Sequence, residues 1–176
     1  MATRLLHLRK HVKNKHMSQI IDGKMVAETM KVAIGEEVKQ MIAAGQKVPH
    51  LVAILVGNNG ASETYVANKV KSCEELGFAS TLLRFDPSIS EADLLAEVQK
   101  VNDNPDMDGL IVQLPLPAHI NPDKVMETIH PSKDVDGFHP INLGRMMRNL
   151  PCYIPATPYG ILLMLQAYNI DTTGMH

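Results

Sequence analysis

Three short apolar runs punctuate the chain: Leu51–Val56, Ser80–Phe85 and Leu110–Leu114. The first and third are almost continuously apolar, the pattern of strands covered on both faces in a parallel sheet. Between them the spacing of apolar positions changes to that of a helix. Val26, Met30, Ile34, Val38 and Met41 form one stripe that stops at Gly45, and Val66, Val70, Cys73 and Leu76 form another that stops at Gly77. Ser90 caps a third helix, with Leu94, Leu95, Val98 and Val101 inward. Run starts recur about every 29–30 residues, the length of a strand with its crossover helix. The pattern predicts an α/β fold of three layers, a mostly parallel β-sheet built from successive β-α units with right-handed connections. Two later helices are announced by cap chemistry. Asn121-Pro122 and Thr157-Pro158 each place a capping side chain before a proline at the first helical position, and the second opens a strongly apolar helix through Tyr168.

Composition narrows the class. The 176 residues are 45% hydrophobic, 20% charged and without Trp, which fits one soluble globular domain. The formal charge of −2 conceals an asymmetry. Residues 1–18 carry Arg4, Arg9, Lys10, Lys13 and Lys15 with no acid, leaving 12 basic against 19 acidic residues in the rest. An acidic body argues against nucleic acid or an anionic membrane as the main partner. The basic leader reads as a transit peptide or, more plainly, as an extension left by cloning, since His16-Met17 resembles a junction followed by a natural start. Cys73 and Cys152 belong to no C-x-x-C pair, which fits a reducing, cytoplasmic setting and predicts neither a disulfide framework nor a zinc site. No apolar stretch reaches the roughly 18–20 residues that span a bilayer.

In an open parallel sheet, ligands bind beyond the carboxyl ends of the strands. After the first run come Gly57-Asn58-Asn59-Gly60, then Ser62, Tyr65 and Lys69. Tyr65 and Lys69 stand four apart, so they neighbour each other on one helix face. The third run carries an amide, Gln113, between Val112 and Leu114, and a polar stretch, Lys133–Pro140, follows. A lysine, a phenol, an amide and a carboxylate can therefore meet in one cleft. Singly, each has a plainer reading: a solvated helix face, an amide capping backbone groups, a D-x-D-G turn. The G-N-N-G turn is neither G-x-G-x-x-G nor a P-loop, and the eight histidines form no H-E-x-x-H, so no metal site is expected.

Taken together, several segments resemble one family. They are Ile21-Asp22-Gly23-Lys24, Leu55-Val56-Gly57 with Ala61-Ser62, Tyr65-Val66-Ala67-Asn68-Lys69, and Cys73-Glu74-Glu75-Leu76-Gly77-Phe78. To these add DGLIVQLPLP over 108–117, KDVDGFHP from Lys133, and Pro155-Ala156-Thr157-Pro158, where Ala156 replaces the family's usual Cys. In order, from about Ile20 onward, they resemble the folate-binding catalytic domain of the bifunctional methylenetetrahydrofolate dehydrogenase/cyclohydrolases. The resemblance implies a folate-binding domain over 19–170 and, over 171–176, the start of a linker to an NADP-binding Rossmann domain outside this chain. It implies Lys69, Gln113 and Tyr65 as catalytic residues. It implies a folate site of Ser62, Tyr65, Val66, Ala67, Asn68, Lys69, Val112, Gln113, Leu114 and Asp136. NADP is implied as cofactor and tetrahydrofolate derivatives as substrates, with Thr157 at most an edge contact to NADP and a homodimer as the parent assembly. Tyr65 would stack on the substrate's aminobenzoyl ring. Asp136 would accept paired bonds from the pterin. Lys69, oriented by Gln113 and desolvated in the cleft, would act as general acid/base in the hydrolysis. Two other readings compete: a non-catalytic small-ligand module with the same fold, and a nucleotide-binding Rossmann protein, which the missing glycine fingerprint disfavours.

Overall fold

A computed structural model describes residues 18–174; the basic leader, apart from Ser18, lies outside the described residues. Nine elements follow in order: α1 (Gly23–Ala43), β1 (His50–Val56), α2 (Gly60–Leu76), β2 (Ala79–Phe85), α3 (Glu91–Asp103), β3 (Gly109–Val112), α4 (Pro122–Thr128), α5 (Pro140–Met147) and α6 (Ala156–Ala167). The three strands form a parallel sheet in the order β2-β1-β3. The α/β architecture thus agrees with the apolar pattern.

Side-chain alternation along β1 assigns its two faces. Val52, Ile54 and Val56 pack with Leu110 and Val112 of β3, with Leu94, Val98 and Val101 of α3, and with Val125 of α4. Ala53 and Leu55 point the other way, onto Val66 and Val70 of α2. The helices therefore lie on opposite faces, as crossovers of one hand require when the second connection runs back across the sheet. The switch of direction occurs at β1, so the loops after β1 and β3 diverge and leave a crevice at their carboxyl ends.

Local chemistry explains most boundaries. Ser90 accepts the Asp93 amide at 3.1 Å and donates to its carboxylate at 2.6 Å, and Asn121 accepts the amides of Asp123 and Lys124 ahead of α4. α2 ends at Gly77, whose φ of 81° is left-handed, with the Phe78 amide returning to the Cys73 carbonyl at 2.8 Å.

Four expectations need correction. The third run ends as a strand at Val112, and the next peptide, Leu114–Pro115, is cis. Gln113 stays attached because its amide donates to the Ile54 carbonyl at 2.9 Å. Thr157 does not cap the last helix: Pro155 is the cap residue, without a side-chain bond, and Thr157 lies inside the first turn. α5 is an additional helix in what reads as a loop, capped by His139, whose Nδ1 accepts the Ile141 amide at 3.0 Å. The apolar stripe of α1 is only half covered, Val26 and Val38 being buried while Met30 is exposed. The apolar α6 buries no residue fully; it meets the start of α1, where the Asp22 amide donates to the Tyr168 hydroxyl at 2.9 Å.

Candidate functional site

The crevice beside β1 receives side chains from three segments. α2 begins directly after β1, with the Asn59 side chain accepting the Ser62 amide at 3.1 Å. Its residues Val66, Val70 and Cys73 face the sheet, and the adjoining face carries Tyr65, Asn68, Lys69, Ser72 and Leu76. With Leu51, Cys73 and Phe78 these line a groove of about 370 Å³. Tyr65 is 63% exposed, an aromatic face open to a ligand. Lys69 is partly buried.

From the end of β3 comes the amide. Lys69 Nζ approaches Gln113 Oε1 at 3.4 Å across 44 residues of sequence, at the outer edge of hydrogen bonding. The amide is held in that sense because its Nε2 donates to the Leu114 carbonyl at 2.8 Å, leaving Oε1 for the amine. Ser62, 3% exposed, donates to the same carbonyl at 3.4 Å.

The third contribution is Asp136. Burial is the main influence pushing its carboxyl above the ordinary aspartate range; nearby Lys69 draws it down and Asp134 pushes it up. Among the described residues no group donates a hydrogen bond to this carboxylate, so its oxygens are open to a ligand. Of the other polar residues in Lys133–Pro140, several serve the fold. The Lys133 ammonium donates to the carbonyls of Val101, Asn102 and Asn104 at 2.7–2.8 Å, closing the end of α3, and burial pushes it below the usual lysine range. The Leu110 amide donates to the Lys133 carbonyl at 2.7 Å, laying the segment along β3. Gly137 has φ +72°, and a Cβ there would lie 2.6 Å from the backbone of Ile154 and Pro155. Only glycine permits that approach.

Not every expected contact is available. Val66 is wholly buried against Ala53 and Leu55, and Val112 faces α3, so neither side chain reaches the crevice. Both stand beside cleft residues in sequence, but side-chain direction separates them. Ala67 is exposed on α2 outside the groove lining, whereas Asn68 belongs to it. Leu114 contributes its carbonyl. Thr157 is exposed on α6. Sequence reasoning passed over Ser72 in the groove, Asp134 in the supporting turn and Asn142 on α5. A polar residue spaced three from Lys69 was the one available sign of Ser72. Among the described residues no three His, Cys, Asp or Glu side chains gather as metal ligands, and no helix is long and apolar enough to cross a membrane.

Comparison with known proteins gives this geometry a context. The family described as tetrahydrofolate dehydrogenase/cyclohydrolase, catalytic domain, matches residues 21–136. The bifunctional protein FolD of Azobacteroides pseudotrichonymphae is 55% identical over 157 residues, 89% of this chain and 54% of that protein. Among solved structures, the bifunctional FolD enzyme of Campylobacter jejuni superposes with a TM-score of 0.84 at 41% identity, covering 87% of this chain and 54% of that one. The Trypanosoma brucei methylenetetrahydrofolate dehydrogenase-cyclohydrolase, solved with NADP and an inhibitor, gives 0.84 at 28% identity over 89% and 54%. The chain spans about half the length of the relatives it matches. On the matched sequence, and on a fold shared across that half, the chain belongs to the tetrahydrofolate dehydrogenase/cyclohydrolase family through its catalytic domain.

Proposed function

We propose that this chain forms the folate site, and carries the catalytic lysine, of an enzyme that oxidises 5,10-methylenetetrahydrofolate and hydrolyses the resulting methenyl compound to 10-formyltetrahydrofolate. The observation that carries the reading is the meeting of Lys69 and Gln113 at 3.4 Å beside an open tyrosine and an unpartnered carboxylate. Tyr65 offers a flat face for the aminobenzoyl ring. Asp136 accepts from the pterin's amino and ring N–H groups, whose donation offsets the burial that favours its protonated form. In the hydrolysis, water bonds the methenyl carbon and gives up one proton, which Lys69 relays as general acid/base. Collapse breaks the bond from that carbon to N5; N5 takes one proton and the other leaves to solvent. Gln113 holds the amine in place, and Ser62 with the Leu114 carbonyl holds the face of the amide.

NADP, bound in the Trypanosoma brucei relative, supplies the hydride acceptor for the oxidation. Among the described residues, none beyond Thr157 as an edge contact fits it. The turn after β1 lacks dinucleotide spacing, and the Ser62 amide at the α2 terminus is already taken by Asn59. No step of the oxidation is assigned to residues of this chain beyond folate binding, with Thr157 kept as an edge contact. The relatives' additional length supports placing the cofactor domain, and the contacts of a homodimer, outside the matched half. That same length supports a second reading, in which the chain binds reduced folate without turnover.

The test is methenyltetrahydrofolate hydrolysis by the full chain, with and without a separately supplied cofactor domain, beside Lys69→Met. Hydrolysis should fall by roughly 10²–10⁴-fold in the variant, the range of general acid/base catalysis. Retained hydrolysis removes Lys69 from the role, and folate binding without any hydrolysis by the unaltered chain favours the second reading.

A further inference from the structure

The turn after β3 holds two carboxylates two residues apart in contrasting surroundings. Asp136 stands partly buried at the crevice with its oxygens unclaimed by any described residue. Asp134 is 2% exposed and fully engaged. Its Oδ2 accepts from the His139 amide at 2.8 Å and from Asn142 Nδ2 at 2.9 Å, while its Oδ1 accepts from the Phe138 amide at 3.2 Å. Asn142, 3% exposed, also donates to the Pro131 carbonyl at 2.8 Å.

These bonds close a small circuit. Asn142 reaches back to the segment before the turn, and Asp134 reaches forward to the two amides after it, so both limbs are tied with Asp136 between them. The circuit is anchored to the sheet by the parallel bridge between Asp134 and Leu110. On its far side Gly137 lies against the Ile154–Pro155 backbone, and the Ala156 amide donates to the Asp136 carbonyl at 3.3 Å. A turn held at both limbs and at its crest holds the backbone that carries the unclaimed carboxylate in one position.

We propose that Asp134 and Asn142 are the positioning pair for Asp136, fixing where its carboxylate stands in the crevice without themselves touching ligand. The inference rests on the reading of Asp136 as a folate-binding residue. Truncating either member frees one limb of the turn, and a displacement of about 1 Å in a binding group is enough to lose roughly tenfold to a hundredfold. The pair also acts through charge. The groups facing Asp136 are Lys69 from α2 and Asp134 from its own turn, and Asp134 adds to the burial that keeps the Asp136 proton bound.

The experiment titrates 5-formyltetrahydrofolate calorimetrically into the 176-residue chain and into Asp134→Asn, Asn142→Ala and Asp136→Ala, from neutral pH down through the carboxylate range. The unaltered chain should bind and lose affinity as Asp136 takes up its proton. Asp136→Ala should bind poorly throughout. Asp134→Asn and Asn142→Ala should weaken neutral-pH binding about tenfold or more and move the acid midpoint downward, because Asp136 becomes less buried and, in the first variant, loses its anionic neighbour. Unchanged affinity, or weaker affinity with an unmoved midpoint, overturns the pairing. If Asp134→Asn is unfolded by circular dichroism, Asn142→Ala decides, since it leaves both backbone bonds of Asp134 in place. Unfolding of both counts against the inference, because the pair would then hold the whole domain rather than one carboxylate. Equal binding by the unaltered chain and Asp136→Ala removes the folate reading of Asp136 itself, and the inference with it.

Discussion

On one face of the sheet eleven buried side chains from β1, β3, α3, α4 and the loops around α4 close into a single cluster; on the other, Ala53, Leu55 and Val66 are the fully buried members. The same strand feeds both, so alternation along β1 divides the labour. The larger cluster supplies most of the apolar burial that holds the domain, at about 25 cal/mol per Å² removed from water. The smaller one leaves α2 standing with a groove along its flank, and every residue proposed for the chemistry borders that side or the strand ends above it. Catalytic groups need exposure and partly unsatisfied polarity, which a sealed core forbids.

Substitutions can probe this separation. Leu94→Ala empties a fully buried position in the large cluster and should lower unfolding free energy by about 2–5 kcal/mol in urea titrations. The folded fraction should keep its folate affinity; a loss of binding beyond the loss of folded protein would break the separation. Asn121→Ala removes the acceptor for the amides of Asp123 and Lys124 and should cost about 1 kcal/mol by the same measurement, again without effect on ligand.

Asp136→Asn should show the smallest and most informative stability change, because its sign is opposite. Burial pushes the carboxyl up, so the folded chain holds the proton more tightly than the unfolded one. That contribution is complete below the unfolded aspartate pKa and is lost as pH rises through the folded value. At neutral pH the ionised group therefore disfavours folding. The amide should raise the urea midpoint slightly at neutral pH and make little difference in acid, while folate affinity falls. A lower midpoint at neutral pH would show Asp136 to be a structural residue.

How far all this was legible varies with the kind of signal. Buried strands announce themselves because two covered faces demand continuous apolar residues, and β1 extends just one residue beyond its run; β2, an edge strand without a fully buried residue, also extends one beyond its less apolar run. α5 was hidden because it is only 8 residues long and the residue it buries is the polar Asn142, so only the His139-Pro140 cap pattern betrays a helix. Within the site, helical spacing makes Tyr65 and Lys69 neighbours and a polar residue in an apolar run marks Gln113, but it is the resemblance that singles them out. Val66 and Val112, implied by the same motifs, turn their side chains into the core, which sequence spacing alone does not reveal. The division of labour between Asp134 and Asp136 could not be read at all. Two identical residues two apart differ only through what the turn brings against them, and the partners of Asp134, the Phe138 and His139 amides and Asn142, carry no sign of it in a linear sequence.

The reversal of strand order at β1 has a consequence for how such a site can change. The opening beside Gln113 comes from the route of the backbone, which leaves the central strand to one side and returns to the other; no side chain had to be removed to make it. Residues at the rim can therefore be exchanged, and new ligands accommodated, while the gap persists. A pocket carved out of packed side chains lacks that freedom, since each exchange there alters the walls that define it.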